Sequence, residues 1–170
     1  MDGKVVVITG ASRGIGAAAA QVFAAAGAKV ALLARSSAEI DALAAEIGPQ
    51  AMALTVDVGD WEAMAAAIAS VEAAFGPVDV LINNASSFFP TEVGEVTLAD
   101  WDDLVGTNLK APLFLAQAAA PHLKKRQGSI INISDIHAQR PLRHYLVYSV
   151  AKAGLDGLTR ALARELGPEV

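Results

Sequence analysis

A phenol and a primary amine lie four residues apart in Tyr148-Ser149-Val150-Ala151-Lys152. On a helix that spacing puts both side chains on one face, one turn apart. A free phenol titrates near 10, too high for a good proton donor at neutral pH. An ammonium about 5 Å away, at an effective dielectric near 20, would stabilise the phenolate by roughly 3 kcal/mol, or about two pH units. Such a pair can protonate the product of a hydride transfer. Taken alone, Tyr-x-x-x-Lys is a common spacing and carries little meaning.

A second pattern supplies context. Thr9-Gly10-Ala11-Ser12-Arg13-Gly14-Ile15-Gly16 follows an apolar run and opens an alanine-rich stretch. Its glycines permit a tight turn, close approach of backbone to a diphosphate, and close packing of helix on strand. The helix start adds free N–H groups and the positive end of a dipole. Strand, loop and helix in this order read as a dinucleotide site lined by Gly10, Ser12, Arg13, Gly14, Ile15 and Gly16.

The second strand ends in Arg35-Ser36-Ser37, a guanidinium and two hydroxyls with no carboxylate. An acid there would suit NAD, whereas a cation accommodates the extra phosphate of NADP. Arg35, Ser36 and, from the other side, Arg13 therefore favour NADP; the plainer reading is two solvated surface arginines. Asp57 is placed either to accept from the adenine amino group or to serve as a turn or N-cap residue. Asn83-Asn84-Ala85-Ser86 ends a further strand, where the asparagines either bridge strand ends or line the cofactor cleft.

The elements that must position these groups are legible. Val5 to Ile8, Val78 to Ile82 and Ser129 to Ile133 are β-branched runs of the kind buried on both faces of a parallel sheet. Residues 29–34 and 51–55 are weaker strands. Good helix formers fill 14–26, 37–47, 61–75, 98–126 (read as two helices) and 148–166. Gly27, Gly48-Pro49 and Gly76-Pro77 mark helix ends. The alternation predicts a Rossmann-type, doubly wound parallel α/β sheet in three α/β/α layers. Without repeats or linkers, 1–170 reads as one dinucleotide-binding and catalytic domain.

The 170 residues are 54% hydrophobic and 18% charged, enough apolar mass for a packed core. A net charge of −5 argues against broad binding to nucleic acid or anionic membrane. The lack of cysteine excludes disulfides and thiolate metal sites. His122, His137 and His144 have no metal-ligand spacing, so no metal is expected; they read as loop residues, His137 and His144 near the active-site mouth. No apolar run reaches the ~18 residues of a membrane span. The first strand begins too early for a signal peptide. A cytoplasmic protein is expected. Trp101 reads as a helix anchor in the core.

The glycine loop, Asn83-Asn84-Ala85, Asn108 and Tyr148-x-x-x-Lys152 together resemble the classical short-chain dehydrogenase/reductase family, in order and along essentially the whole chain. The resemblance implies that Tyr148 is the acid/base, that Lys152 also holds the nicotinamide ribose, and that Asn108 supports a water relay to the lysine. It implies cofactor contacts at Asn84 and Ala85 as well. The family usually has serine thirteen residues before the tyrosine; here Asp135 stands there, with Ser134 one residue early. The usual Asn-Asn-Ala-Gly ends in Ser86, followed by Ser87-Phe88-Phe89-Pro90-Thr91.

Both departures resemble the pteridine reductase branch, which implies that Ser86, Phe88, Asp135 and Tyr148 bind a pterin, with Phe88 stacked opposite the nicotinamide. A flat heteroaromatic ring gains from an aromatic face, and a carboxyl group can hydrogen-bond pterin nitrogens. If ionised, Asp135 would oppose the effect of Lys152 on Tyr148, and the groups would titrate together. The plainer readings are that Phe88 and Phe89 cover the core and that Asp135 caps a strand end. Gly14 departs from the branch, which commonly has arginine there.

The leading expectation is an NADPH-dependent pterin or dihydropteridine reductase. The alternatives are a carbonyl reductase acting on a 3-oxoacyl thioester, sugar or other ketone, and a non-catalytic dinucleotide-binding protein. Family members continue past Val170 with another strand, a Pro-Gly turn and a substrate-covering segment, so the chain is expected to be a fragment that does not close its own active site. Residues 112–123 and 155–166 are apolar on more than one face, and the resemblance implies a homodimer or homotetramer through them.

Overall fold

The computed structural model describes residues 1–170. Five parallel strands, β1 (Val5–Thr9), β2 (Lys29–Ala34), β3 (Ala51–Thr55), β4 (Val80–Asn83) and β5 (Ser129–Asn132), form one sheet in the order β3-β2-β1-β4-β5. The helices are α1 (Gly14–Ala25), α2 (Ser37–Ile47), α3 (Trp61–Phe75), α4 (Leu98–Val105), α5 (Ala111–Arg126) and α6 (Leu146–Leu166). The doubly wound arrangement expected from the alternating pattern is present.

All of β1 is buried, and its side chains alternate between two cores. Val5 and Val7 join Leu33, Leu81, Ile68, Val71, Leu115 and Leu123 on the α3/α5 face. Val6 and Ile8 join Leu32, Ile82, Ile40 and Ala20 on the α1/α2 face. The buried residues of α1 are Gly16, Ala20 and Ala24, small enough to let the helix settle close on the sheet. At the N-terminal edge of the strands, Asp79 is only 2% exposed. Its carboxylate accepts from the Lys4 ammonium at 2.9 Å, the Arg126 guanidinium at 3.0 Å and the Val5 N–H at 2.9 Å. Burial pushes this carboxyl up, but the lysine, backbone and arginine donors outweigh it and hold it below the ordinary carboxylate value.

The 98–126 stretch does form two helices. A Thr97/Asp100 capping box starts α4. A single π-helical turn over Gly106–Lys110 then joins it to α5, with Pro112 in the first turn of α5. That turn carries Asn108, in keeping with the frequent placement of π-turns at functional sites. Trp101 does not anchor the core as expected. It is 45% exposed, because the buried residue of α4 is Leu104, three positions on. The final helix begins at Leu146, two residues before Tyr148. No helix is long and apolar enough to cross a membrane.

Candidate functional site

Ligands in open α/β sheets bind outside the C-terminal strand ends where the strand order reverses. Here that point lies between β1 and β4, and a cleft of about 470 Å³ opens there. It is lined by Gly10, Ser12, Arg13 and Ile15 of the glycine loop, Arg35 and Ser36 after β2, and Asp57 after β3. Asn84, Ala85 and Ser86 after β4, with Asp135, Tyr148 and Lys152, complete the wall. Most of the residues singled out by motif thus meet in one place.

The glycine loop fits a dinucleotide diphosphate. A Cβ on Gly10 would stand 2.8 Å from the Ala85 Cα, and one on Gly16 would strike the Gly10 carbonyl oxygen. Those two glycines therefore serve close packing of backbone on backbone. Gly14 differs: its φ is +58° and a Cβ there would meet nothing within 4 Å. A side chain such as arginine would be strained by that backbone conformation. The first turn of α1 holds no acid, leaving its N–H groups and dipole free for an anion. No hydrogen bond or ion pair engages the Arg35 or Ser36 side chains within the chain. Glu39, one turn into α2, also borders the cleft and was not anticipated. The Asp57 carboxylate accepts from the Gly59 N–H at 2.8 Å, so it does form a local turn while facing the cleft.

The asparagines after β4 bridge strand ends. The Asn84 amide donates to the carbonyls of Thr9 at 2.9 Å and Gly10 at 3.1 Å. The Asn83 amide donates to the Asn132 side chain at 2.8 Å. Asn108, buried in the π-turn, donates to the carbonyls of Leu104 and Ser87, both at 2.9 Å, and accepts from the Ser86 hydroxyl at 2.7 Å. Its side chain thereby fixes the loop that carries Ser86 and Phe88.

Tyr148 and Lys152 share the buried, cleft-facing side of α6, but the phenol's partner is not the lysine. The Lys152 ammonium donates to the Ile133 carbonyl at 2.8 Å and lies 5.7 Å from the Tyr148 ring centre. The Tyr148 hydroxyl donates to Asp135 Oδ2 at 2.8 Å. Burial, then this carboxylate's hydrogen bond and charge, push the phenol above its ordinary value, against a smaller lowering by Ser86. Asp135 thus opposes the effect of Lys152 on Tyr148, and the opposition dominates because the carboxylate sits at hydrogen-bond distance and the ammonium does not. Burial pushes the Asp135 carboxyl up. The donors at His137 and Tyr148 and the charges of His137 and Lys152 outweigh it and hold the acid ionised. Burial also depresses the Lys152 ammonium, partly offset by the charges of Asp135 and Asp156.

Asp135 does cap a turn, as its plainer reading had it: Oδ1 accepts from the His137 N–H at 2.9 Å at the start of a 3-10 turn over Ile136–Ala138. The two oxygens of one carboxylate serve both roles. Phe89 packs against Leu104, Val147 and Tyr148 as core cover. Phe88 does not; it is 53% exposed and lies edge-on to Tyr148 at 4.7 Å, without lining the cleft itself. Tyr145 stacks on Phe88 at 4.4 Å and 15°. Tyr145 is the residue just before α6, so helical spacing from Tyr148 does not place it.

Thr91 ties the Phe88 loop to the entry of α6. Its N–H donates to the His144 carbonyl, its carbonyl accepts from the Leu146 N–H, and its hydroxyl accepts from the Val147 N–H. The imidazoles pair singly with acids, His122 with Glu72, His137 with Asp135 and His144 with Glu92. No cluster able to hold a metal exists.

Known proteins place this geometry. The chain is 41% identical to a D-xylose 1-dehydrogenase of Caulobacter vibrioides over 173 residues, 99% of this chain and 68% of that protein. It is 39% identical to the L-xylulose reductase of Homo sapiens over 170 residues, again 99% and 68%. The chain thus spans about two thirds of the length of these curated relatives. A metagenomic short-chain oxidoreductase solved in complex with NADP superposes with a TM-score of 0.93 at 40% identity, over 99% of this chain and 78% of that one. The family model described as short chain dehydrogenase matches residues 4–170. With a glycine loop at the sheet's switch point and a tyrosine and lysine facing it from one helix, the chain belongs to the short-chain dehydrogenase family.

Proposed function

We propose that this short-chain oxidoreductase reduces a pterin or dihydropteridine with NADPH. The observation that carries the reading is the Asp135 carboxylate hydrogen-bonded to the Tyr148 phenol at 2.8 Å, beside the exposed ring of Phe88. A simple ketone without further donors makes no hydrogen bond to that carboxylate and has no flat face for that ring. A pterin can donate its amino and ring N–H groups to the carboxylate while its flat face lies against Phe88, with Tyr145 backing the ring.

The glycine loop and Arg35 would hold the cofactor, which supplies the hydride. Arg13, Arg35 and Ser36 support NADPH over NADH, since they offer cationic and hydroxyl partners to a phosphate. The hydride adds to the carbon of a substrate C=N bond, and the nitrogen takes the Tyr148 proton. The phenolate so formed is offset by Lys152 and reprotonated from water. Asn108 holds Ser86, which borders the phenol, by accepting from its hydroxyl; the family resemblance is the support for a water relay from Asn108 to Lys152. We also infer a homo-oligomer. Its support is the exposed apolar surface of Trp61, Trp101 and Leu113 on α3, α4 and α5.

Carbonyl reduction on the same scaffold is the second reading, favoured by the names of the xylose and xylulose relatives. NADPH oxidation with dihydrobiopterin, dihydrofolate, an acetoacetyl thioester and L-xylulose separates the two. Pterin turnover is expected, lost in Tyr148→Phe. Phe88→Ala should raise the pterin KM about three- to tenfold, with a stability loss of about 0.5–1.5 kcal/mol from its ring contacts with Tyr145 and Tyr148. Turnover of the sugar or thioester without the pterins overturns the proposal.

A further inference from the structure

The geometry points to His137 as a positioning residue that governs proton release by Tyr148 through the shared carboxylate of Asp135. The inference rests on Tyr148 being the proton donor, and not on which substrate receives the proton. Asp135 is gripped from two sides. Oδ2 takes the phenol hydroxyl at 2.8 Å, while Oδ1 takes the His137 backbone N–H at 2.9 Å and faces the His137 ring Nε2 at 4.0 Å. The ring is itself oriented. Its Nδ1 lies 3.0 Å from the Arg140 carbonyl, which can only accept, so Nδ1 carries a proton and Nε2 is the nitrogen that gains or loses one facing the carboxylate.

A carboxylate in this place opposes loss of the phenol proton, because a phenolate beside it puts two negative charges within hydrogen-bond distance. The usual family serine creates no such conflict, so an aspartate here needs a compensating cation. Lys152 supplies part of that charge from α6, its ammonium held on the Ile133 carbonyl and away from hydrogen-bond contact with the carboxylate. His137 supplies the rest whenever its ring is protonated. Asp135 faces the imidazole from its own turn, Tyr148 and Lys152 act from α6 through the same carboxylate, and Arg140 offers its carbonyl. His144 is engaged with Glu92. Protonated His137 neutralises Asp135 and frees the phenol proton; neutral His137 leaves the conflict in place.

Two measurements on the full chain test this. With only three imidazoles present, proton NMR follows His137 directly and needs neither cofactor nor substrate. Asp135→Asn should displace the His137 ring signals, since the carboxylate faces that ring, while leaving those of His122 and His144 in place. His137 signals indifferent to that change overturn the inference. In turnover assays with whichever substrate the chain accepts, His137→Gln should lower kcat about three- to tenfold on the acid side of pH 7 and flatten its pH dependence through the histidine range, with the KM for NADPH unchanged. His137→Lys, a permanent cation in the same place, should restore the acid-side rate. A His137→Gln pH profile superimposable on wild type overturns the inference, even if the pterin assignment stands. Loss of the pterin assignment leaves the NMR coupling intact.

Discussion

Replacing Asp135 with serine restores the family's usual hydroxyl and isolates the effect of the carboxylate on the phenol. The 2.8 Å hydrogen bond places a phenolate and carboxylate charge about 4 Å apart. At an effective dielectric near 20 that repulsion is ~4 kcal/mol, equivalent to ~3 pH units. The Asp135 side chain is 30% exposed, and Lys152 and His137 bring opposing charge, so about one to two pH units is the realistic shift. Only two tyrosines are present, Tyr145 and Tyr148, so ultraviolet absorbance during an alkaline titration can follow both, and Tyr148→Phe identifies the buried one. In the wild type the Tyr148 phenol should ionise above the ordinary phenol value. In Asp135→Ser its midpoint should fall by about one to two pH units. An unmoved midpoint would mean that burial alone sets the proton affinity of Tyr148, and the argument for a coupled Asp135–Tyr148 acid would be wrong.

Arg35→Asp replaces a phosphate partner with a like charge and should weaken NADPH relative to NADH by about ten- to a hundredfold, measured by fluorescence titration with each nucleotide; an unchanged ratio refutes the role of Arg35. Asp79→Asn should destabilise the fold by about 1–3 kcal/mol in urea unfolding, because the carboxylate that unites Lys4, Val5 and Arg126 loses its charge. Its folded value is held below the unfolded one. The contribution is therefore complete above the ordinary carboxylate value and is lost as pH falls through the depressed folded value. A variant whose stability tracks the wild type from neutral to acid pH would contradict this.

The scaffold was readable because β1 advertises itself by β-branched side chains on both faces, and because the glycines at 10 and 16 have a steric reason to be there. β5 carries the same kind of run yet is not buried on both faces as expected, because it is the edge strand of the sheet and Ile131 stays 41% exposed. The cleft was readable because strand ends and loop motifs lie at fixed chain distances. What escaped depends on contacts between segments far apart in the chain. Tyr148 and Lys152 have the spacing for direct interaction, yet the carboxylate arriving from the end of β5 sets the phenol's proton affinity. Tyr145 gave no sign of its partner, because Phe88 lies 57 positions earlier. Trp101 is large and apolar, but the turn of α4 that faces inward is the one bearing Leu104. Glu39 sits among ordinary helix residues and borders the cleft only through the way α2 leaves the sheet.

The three backbone and hydroxyl bonds of Thr91 make the aromatic lip and the first turn of α6 a single mechanical part. Phe88 and Tyr145 would then follow any tilt of that helix as a jaw follows its hinge, keeping the edge of Phe88 against the Tyr148 ring. Under the proposed function, a bulkier substrate would have to be accommodated by exchanging side chains on the lip, since swinging the lip outward would carry Tyr148 along with it.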